Sequence, residues 1–538
     1  MSEWSSTFWQ HQLRPFMKFW LLALIVGALA GAATLGFRVA ISTLQSIFYG
    51  ADDVMLASAA KDLPWWLVLT LPICGGLVVG LILHHFTPDG RVRGVADVID
   101  AVAKGDGHVE RREGLASALA SLITLSTGGS TGREGPVVHL GAVLSSKVAK
   151  IARVPDVTGR DLVGCAVAAA VSASFNAPIA GAIFAVEVIL RKYSLRNFAA
   201  IVIAAVAGTL ISRLHFGDIT EFTVPPSDVQ FFQEIPAFVL LGLTCGVVAV
   251  ALVRTIFWTE DLFTRWQQAI GLPRYLRPAL AGVLLGLIAI QFPHIIGVGY
   301  ETTARALSGE IVLWTAVLYA IVKALAVTIT FAGRMGGGVF SPALMLGALT
   351  GLAFGHMATP LFPEVSGSLS LYALAGMGAV AAAVLGAPIS TTLIAFELTG
   401  VWQVGLAVIL AVSLSTTFAN RFVYGSFFLM QLVRRGRPVA EVLGEVMGGI
   451  VTVGDVMRPF NPNQPRKSAR LWRLVGENAY VTADDRLTLA FAEFEAGHDV
   501  IPVIKIDATT QKVMIIGALH QSDAVTTLQD EAVTGSSN

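Results

Sequence analysis

The sequence predicts an all-α polytopic membrane protein built on an internal duplication, followed by a small α/β tail. Three observations predict it: a scarcity of charge, apolar runs broken by Gly and Pro, and a stretch that recurs. Of 538 residues, 54% are hydrophobic and only 14% charged, and the mean hydropathy of +0.69 is far from that of an average soluble domain. From Trp314 to Gly400 the only Lys, Arg, Asp or Glu residues are Lys323, Arg334, Glu364 and Glu397. A soluble fold cannot leave that length so bare of charge.

The same composition excludes other classes. A formal net charge of zero gives no field pointing to nucleic acid or an acidic substrate. Cys74, Cys165 and Cys245 are scattered in apolar runs, with neither metal spacing nor a disulfide framework. No nucleophile–base pair, metal cluster or phosphate loop argues for an enzyme. The expectation is a non-enzyme that requires no cofactor.

In chain order, the first apolar run, "FWLLALIVGALAGAATLGFRVAI" (19–41), lacks a cleavage pattern and is long enough to remain a spanning helix. Apolar runs then continue to about Leu432, many too interrupted to be simple spans. "ASALASLITLSTGGS" stops at glycines and "PVVHLGAVLSSKVAKIA" starts afresh at Pro136; "AAAVSASFNAP" likewise yields to "PIAGAIFAVEVIL". Broken helices survive in a bilayer only where freed backbone groups face protein or a wet cavity. Paired breaks in two halves point to a transport site. The basic junction "VRRGRP" (433–438) and the N-terminal Arg14 and Lys18 place both termini in the cytoplasm by the positive-inside tendency. Residues 1–438 therefore read as the membrane domain and 439–538 as a soluble tail.

The second copy is explicit. "AAAVSASFNAPIAGAIFAVEV" (168–188) aligns without gaps to "GAVAAAVLGAPISTTLIAFEL" (378–398), matching Ala177-Pro178-Ile179 to Ala387-Pro388-Ile389 and Glu187 to Glu397. Upstream of each lies a Gly-x-x-x-Pro element, Gly132 to Pro136 and Gly338 to Pro342. The two prolines are 42 residues apart in the first half and 46 in the second.

A glycine-rich turn followed by proline at the first helical position starts a helix whose early N–H groups lack intrahelical partners. At membrane depth such donors attract an anion without a full counter-charge that would trap it. Glu134, in the first of these turns, would compete with a transported anion for the N–H groups, and protonation or movement would vacate the site. The plainer reading is a first-turn acid in an aqueous loop. Phe340 holds the same place in the second half and cannot carry a proton. Arg133 cannot share Glu134's direction and is expected to snorkel or pair elsewhere. His139 reads as a packing residue.

"GREGP" (132–136), "FNAPIAG" (175–181) and "GGVFSP" (337–342) resemble the CLC family of chloride channels and chloride/proton antiporters. The resemblance implies a CLC-type inverted repeat of tilted and broken helices, about residues 20–215 and 235–432. It also implies a homodimer in the cell's inner (plasma) membrane, with one pathway per subunit for chloride or another small anion among the membrane lipids. It assigns Glu134 as the gating glutamate and Gly132, Arg133, Gly135, Gly338, Val339 and Phe340 to the anion site. Three departures follow from the same comparison. The family's Gly-Ser-Gly-Ile-Pro motif falls on "GRVRGVADVIDAV" (90–102), with Arg93 replacing the pore serine, either as an extra anion ligand or facing the cytoplasm. Val188 stands where antiporters place an internal proton-transfer glutamate, leaving Glu187, a possible proton path or a helix-end partner of Arg191. Phe428 or Leu429 stands where the pore tyrosine belongs. These departures favour a passive channel gated by Glu134; the alternatives are chloride/proton antiport and transport of a larger or organic anion.

The tail, from "VTVGDVMRPF" (451–460) through "VIPVIKI" and "VMIIGAL", resembles a cystathionine-β-synthase-type (CBS) regulatory domain. The type implies adenine-nucleotide binding or a structural dimer clamp. "RKSARLWR" (466–473) reads as a solvated loop or a lipid-surface contact, not a nucleic-acid site.

Overall fold

A computed structural model describes residues 14–437, except 105–106, 192–194, 219–220, 223–224, 226–230, 362–367 and 401–404, together with most of 452–524. The chain divides into two compact units, Met1–Phe428 and Leu429–Asn538, the division falling ahead of the change in composition at 438.

Among its described residues the first unit is built of helices and their connections. Its first half runs α1 (Arg14–Tyr49), α2 (Leu56–Asp62), α3 (Trp65–Phe86), α4 (Val95–Ala103), α5 (Arg111–Ser126), α6 (Glu134–Ala152), α7 (Asp156–Phe175), α8 (Pro178–Phe184) and α9 (Leu195–Phe216). The second half runs α10 (Phe231–Ala269), α11 (Arg277–Gln291), α12 (Tyr300–Leu307), α13 (Leu313–Ala332), α14 (Phe340–Leu361), α15 (Leu369–Leu385), α16 (Pro388–Thr399) and α17 (Gly405–Asn420), and the chain passes into the second unit within α18 (Phe427–Arg434). Among the described residues six helices are long and apolar enough to cross a membrane.

Burial sorts these helices as a bilayer requires. Every residue of α15 from Ser370 to Leu385 is buried, as an all-round apolar helix at the centre of a bundle should be. Leu214, Trp314 and Leu240, on α9, α13 and α10, are instead largely exposed, which suits a lipid-facing shell. Where helices meet, small residues let backbones touch. A Cβ on Gly31 of α1 would lie 2.6 Å from the Gly208 Cα of α9, and one on Gly347 of α14 would lie 2.4 Å from the Gly376 carbonyl of α15.

The duplicated stretch folds the same way twice. Asn176 and Gly386 both take the left-handed conformation after their helices, with φ of 55° and 66°. Ala177 then donates to the Ser172 carbonyl at 3.1 Å, as Ala387 does to Ala382 at 3.2 Å. The next helix opens on Pro178 or Pro388 as its first residue, where the missing N–H costs nothing.

In the second unit, α19 (Val453–Val456), β1 (Arg458–Pro459), α20 (Pro465–Gly476), β2 (Val481–Thr482), β3 (Val500–Ile506) and β4 (Val513–His520) follow in order. The sheet order is β1-β4-β3-β2; β4 pairs antiparallel with both neighbours and β2 with β3 in parallel. Val453, Leu487, Phe494, Ile501, Val503 and Leu519 form its core. The "RKSARLWR" stretch is not a loop but part of α20: Leu471 packs with Ile504 and Ile515 of the sheet, so one apolar face suffices to fold it.

Candidate functional site

The two Gly-x-x-x-Pro turns meet. Gly132 donates its N–H to the Gly338 carbonyl and Gly338 donates back to Gly132, both at 2.7 Å, making an isolated antiparallel bridge. Thr131 adds its hydroxyl to the same Gly338 carbonyl at 3.0 Å. From this bridge α6 and α14 depart, each beginning two residues before its proline rather than on it. The prolines thus sit in the first turn, where their lack of N–H is still harmless.

Glu134 is the first residue of α6, fully buried, and its carboxylate crosses to the other repeat. It accepts from the Ser341 N–H at 3.4 Å and from the Ser341 hydroxyl. The acid therefore occupies the N-terminus of α14, where an anion would be drawn by the same unpaired amides. Phe340, at the equivalent place, packs its ring at 4.9 Å from Phe175 and 6.0 Å from Phe184. Ser341 is a site residue that the sequence motif contained but did not reveal, because its partner lies on the other repeat.

The bridge also corrects the anion-site assignments. The amides of Gly132 and Gly338 are spent on each other, so neither is left to face an anion. Arg133 is not directed at the Ser341 seat. Its guanidinium lies 2.9 Å from the Tyr300 hydroxyl, 3.3 Å from the Ser174 carbonyl and 3.5 Å from Asp53, and 4.8 Å over the Tyr300 ring. Beside it Arg38 pairs with Glu221 at 2.8 Å. A buried arginine whose two terminal nitrogens are engaged in this way is a structural cation, not an open ligand.

Arg93 is likewise withdrawn. It pairs with Glu113 at 2.7 Å, Asp89 at 3.1 Å and Asp97 at 3.6 Å, while Asp97 also accepts the Gly94 N–H at 2.9 Å that caps α4. Three carboxylates thus surround this cation just ahead of α4. Phe428 is buried and meets Phe427 at 5.9 Å; it supplies no polar atom.

Glu187 and Glu397 do something no local reading could supply. Glu187 accepts the amides of Ile389 and Ser390 at 2.9 and 2.8 Å, capping α16 of the second repeat. Glu397 accepts those of Ile179 and Ala180 at 3.1 and 2.7 Å, capping α8 of the first. Each repeat thus lends a carboxylate to the other's helix start. This reciprocity is what a two-fold-related pair of halves produces.

Residues 75–420 match the model of the voltage gated chloride channel family. A putative chloride channel protein, ClcB-like, of Ralstonia nicotianae is 34% identical over 72% of this chain and 91% of its own length. The chain belongs to the CLC family. The voltage-gated ClC-type chloride channel ClcB of an Escherichia coli strain is 31% identical over 75% of this CLC chain and 97% of its own. Two solved structures share the CLC fold. A slow cyanobacterial Cl-/H+ antiporter covers 78% of this chain at TM-score 0.69 and 22% identity. A eukaryotic CLC transporter covers 95% at 0.72 and 17%. Its CLC membership makes this chain a membrane protein that transports chloride, and it gives the crossing of Glu134 onto Ser341 a functional setting.

Proposed function

We propose that this CLC chain conducts chloride or similar small anions passively, with Glu134 as the gate. One observation carries the reading: a carboxylate of the first repeat rests on the amide and hydroxyl of Ser341, at the start of a second-repeat helix. Hydrogen bonds to a charged group contribute about 1.5–3 kcal/mol each. The hydroxyl bond holds the ionised side chain in place by roughly 1.5–3 kcal/mol, the 3.4 Å amide contact adding less, so the vacated state is populated at about one part in 10 to 10². Protonation removes the charge assistance, and the anion then competes for the same donors.

Passive flow is supported at the other acid. Both Glu187 oxygens are held by backbone amides, and its neighbour Val188 carries no proton. The charge pairing of Arg93 weakens the motive for a larger anion. The same proposal sets the chain in the cell's inner membrane as a homodimer with both ends cytoplasmic, and leaves to its tail a CBS-like clamp or nucleotide site.

The test is reconstitution into liposomes with simultaneous chloride and proton electrodes. Glu134→Gln should raise chloride flux at least tenfold and flatten its pH response, while a chloride gradient should drive no protons uphill. Unchanged flux and pH response in Glu134→Gln would remove Glu134 as the gate. Stoichiometric proton movement in the wild type would replace the channel by an antiporter.

A further inference from the structure

Away from the gate, a cavity of about 340 Å³ opens near the ends of two candidate spans, Trp65–Phe86 and Leu313–Ala332. It lies between the last turns of α3, the loop after them, the 3₁₀ turn Arg274–Leu276, the start of α11 and the loop after α13. Its frame is main chain packed on main chain. A Cβ on Gly80 would lie 1.8 Å from the Tyr275 carbonyl, and one on Gly76 2.4 Å from that of Pro278. Gly90 turns at φ of 63° with nothing within 4 Å of where a Cβ would stand, so the space stays open beside the loop.

The ionisable lining is His84, Arg274, Tyr275 and Arg334, with no carboxylate among them. The carboxylates that act most on Arg334 are Glu260 and Asp89. Both are held by arginines outside the lining, Glu260 by Arg91 at 3.5 Å and Asp89 by Arg93 at 3.1 Å. Arg277, also within Coulombic reach of Arg334, gives its donors to neutral acceptors, among them the Ala332 carbonyl at 2.7 Å and the Thr264 hydroxyl at 2.9 Å. Arg334 itself donates from Nη1 to the Asp89 carbonyl at 3.2 Å, while its Nε is buried with no hydrogen-bond partner among the described residues. The exposed Arg274 side chain has neither ion pair nor hydrogen bond among the described residues.

Arg334 also holds a backbone conformation that side chains avoid. Its φ is 56°, just where α13 is closed by the Arg334 N–H on the Phe331 carbonyl at 2.9 Å and the Met335 N–H on that of Thr330 at 3.1 Å. Glycine is the usual residue at such a position, because it lacks the Cβ that makes the left-handed region costly. A strained arginine with an unmatched donor, in a cavity without carboxylates, marks a site for an anion that the protein does not itself supply.

We infer that this cavity binds a phosphate group, carried by an anionic lipid headgroup or by a free phosphate compound. Guanidinium forks match the several oxygens of a phosphate better than they match a single spherical ion, and the volume is that of a small-molecule site. Its place at the ends of two spans is the level at which basic pockets between helices meet lipid phosphates. None of the gate's residues lines the cavity, so the inference does not rest on Glu134.

The experiment is titration calorimetry on the full-length protein in a neutral detergent, with dioctanoyl phosphatidic acid, inorganic phosphate and dioctanoyl phosphatidylcholine as separate titrants. The phosphatidic acid should bind at least about tenfold tighter than the phosphatidylcholine. Inorganic phosphate binding within about threefold of the phosphatidic acid identifies a free phosphate as the ligand, and weaker binding identifies the headgroup. Arg334→Gly should weaken the bound titrant at least about tenfold, as loss of a charge-assisted hydrogen bond does. It should not lower the unfolding midpoint, because glycine suits the backbone there. Arg274→Gln should weaken the same titrant at least about threefold, whereas Arg305→Gln, exposed on α12 and paired with Glu310, should leave it unchanged. Equal binding of the two lipids with none of inorganic phosphate would overturn the inference, and so would wild-type affinity in both Arg334→Gly and Arg274→Gln. Should Arg334→Gly lower the midpoint, Arg274→Gln decides alone, since its side chain holds no other described residue.

Discussion

Gly338→Ala tests the meeting of the two turns directly. A Cβ there would stand 2.9 Å from the Gly135 nitrogen, 3.3 Å from the Gly135 Cα and 3.5 Å from the Gly132 carbonyl. All three are backbone atoms, so no side chain can rotate away and the turns themselves must separate. That movement lengthens the two 2.7 Å bonds between Gly132 and Gly338. Each buried bond left unmade costs about 1–3 kcal/mol, so the pair costs roughly 2–6, or about 30-fold to 10⁴-fold in the population of the intact site. The assay is chloride efflux from liposomes alongside thermal unfolding in detergent. Flux should fall at least tenfold, with a lowered midpoint. Gly36→Ala is the control, since a Cβ at Gly36 of α1 meets nothing within 4 Å and alanine favours a helix. If Gly338→Ala matches Gly36→Ala in both flux and midpoint, the turns do not meet as described.

The reciprocal caps predict that Glu187→Gln and Glu397→Gln destabilise the membrane unit by similar amounts, about 1–3 kcal/mol each, measured as unfolding midpoints; a large effect from one and none from the other would break the symmetry. Neither should create or abolish proton movement. In the tail, Arg458 hydrogen-bonds Asp523 at 2.5 and 2.7 Å and holds its carboxyl below the usual range. A depressed acid contributes above its unfolded pKa and loses that contribution as pH falls through its folded value. The protection of amides around β1 and β4 of the full chain, relative to their intrinsic exchange at the same pH, should therefore fall on acidification below about pH 4. Asp523→Asn should remove that step, and high salt should shrink it, because the pair is solvent-exposed.

The repeat was legible because its signals are local. Ala177-Pro178-Ile179 and Ala387-Pro388-Ile389 mark helix starts by rules that operate within one turn, and Asn176 and Gly386 end the preceding helices in a conformation favoured for those two residue types. The place of Glu134 was legible for the same reason, as an acid in a first helical turn. The tail's strands followed from short β-branched runs, whereas α20 was hidden by the charges on its outer face.

The polar partners were not legible, and the membrane explains why. In a bilayer each buried charge must find a donor or acceptor within the protein, so a sequence announces the demand without the address. Glu187 suggested Arg191 because four residues along a helix is the one distance a sequence measures. Its two oxygens instead hold Ile389 and Ser390, more than two hundred residues away. Arg93, in a pore motif, suggested an anion ligand; the carboxylates that occupy it come partly from Glu113 on the next helix. Lys323 and Asp53 suggested nothing apart, since only the fold places both beside the segment that Gly297 ties to Gly129. Charges are rare enough in such a chain that each unexplained one is worth pursuing to its partner.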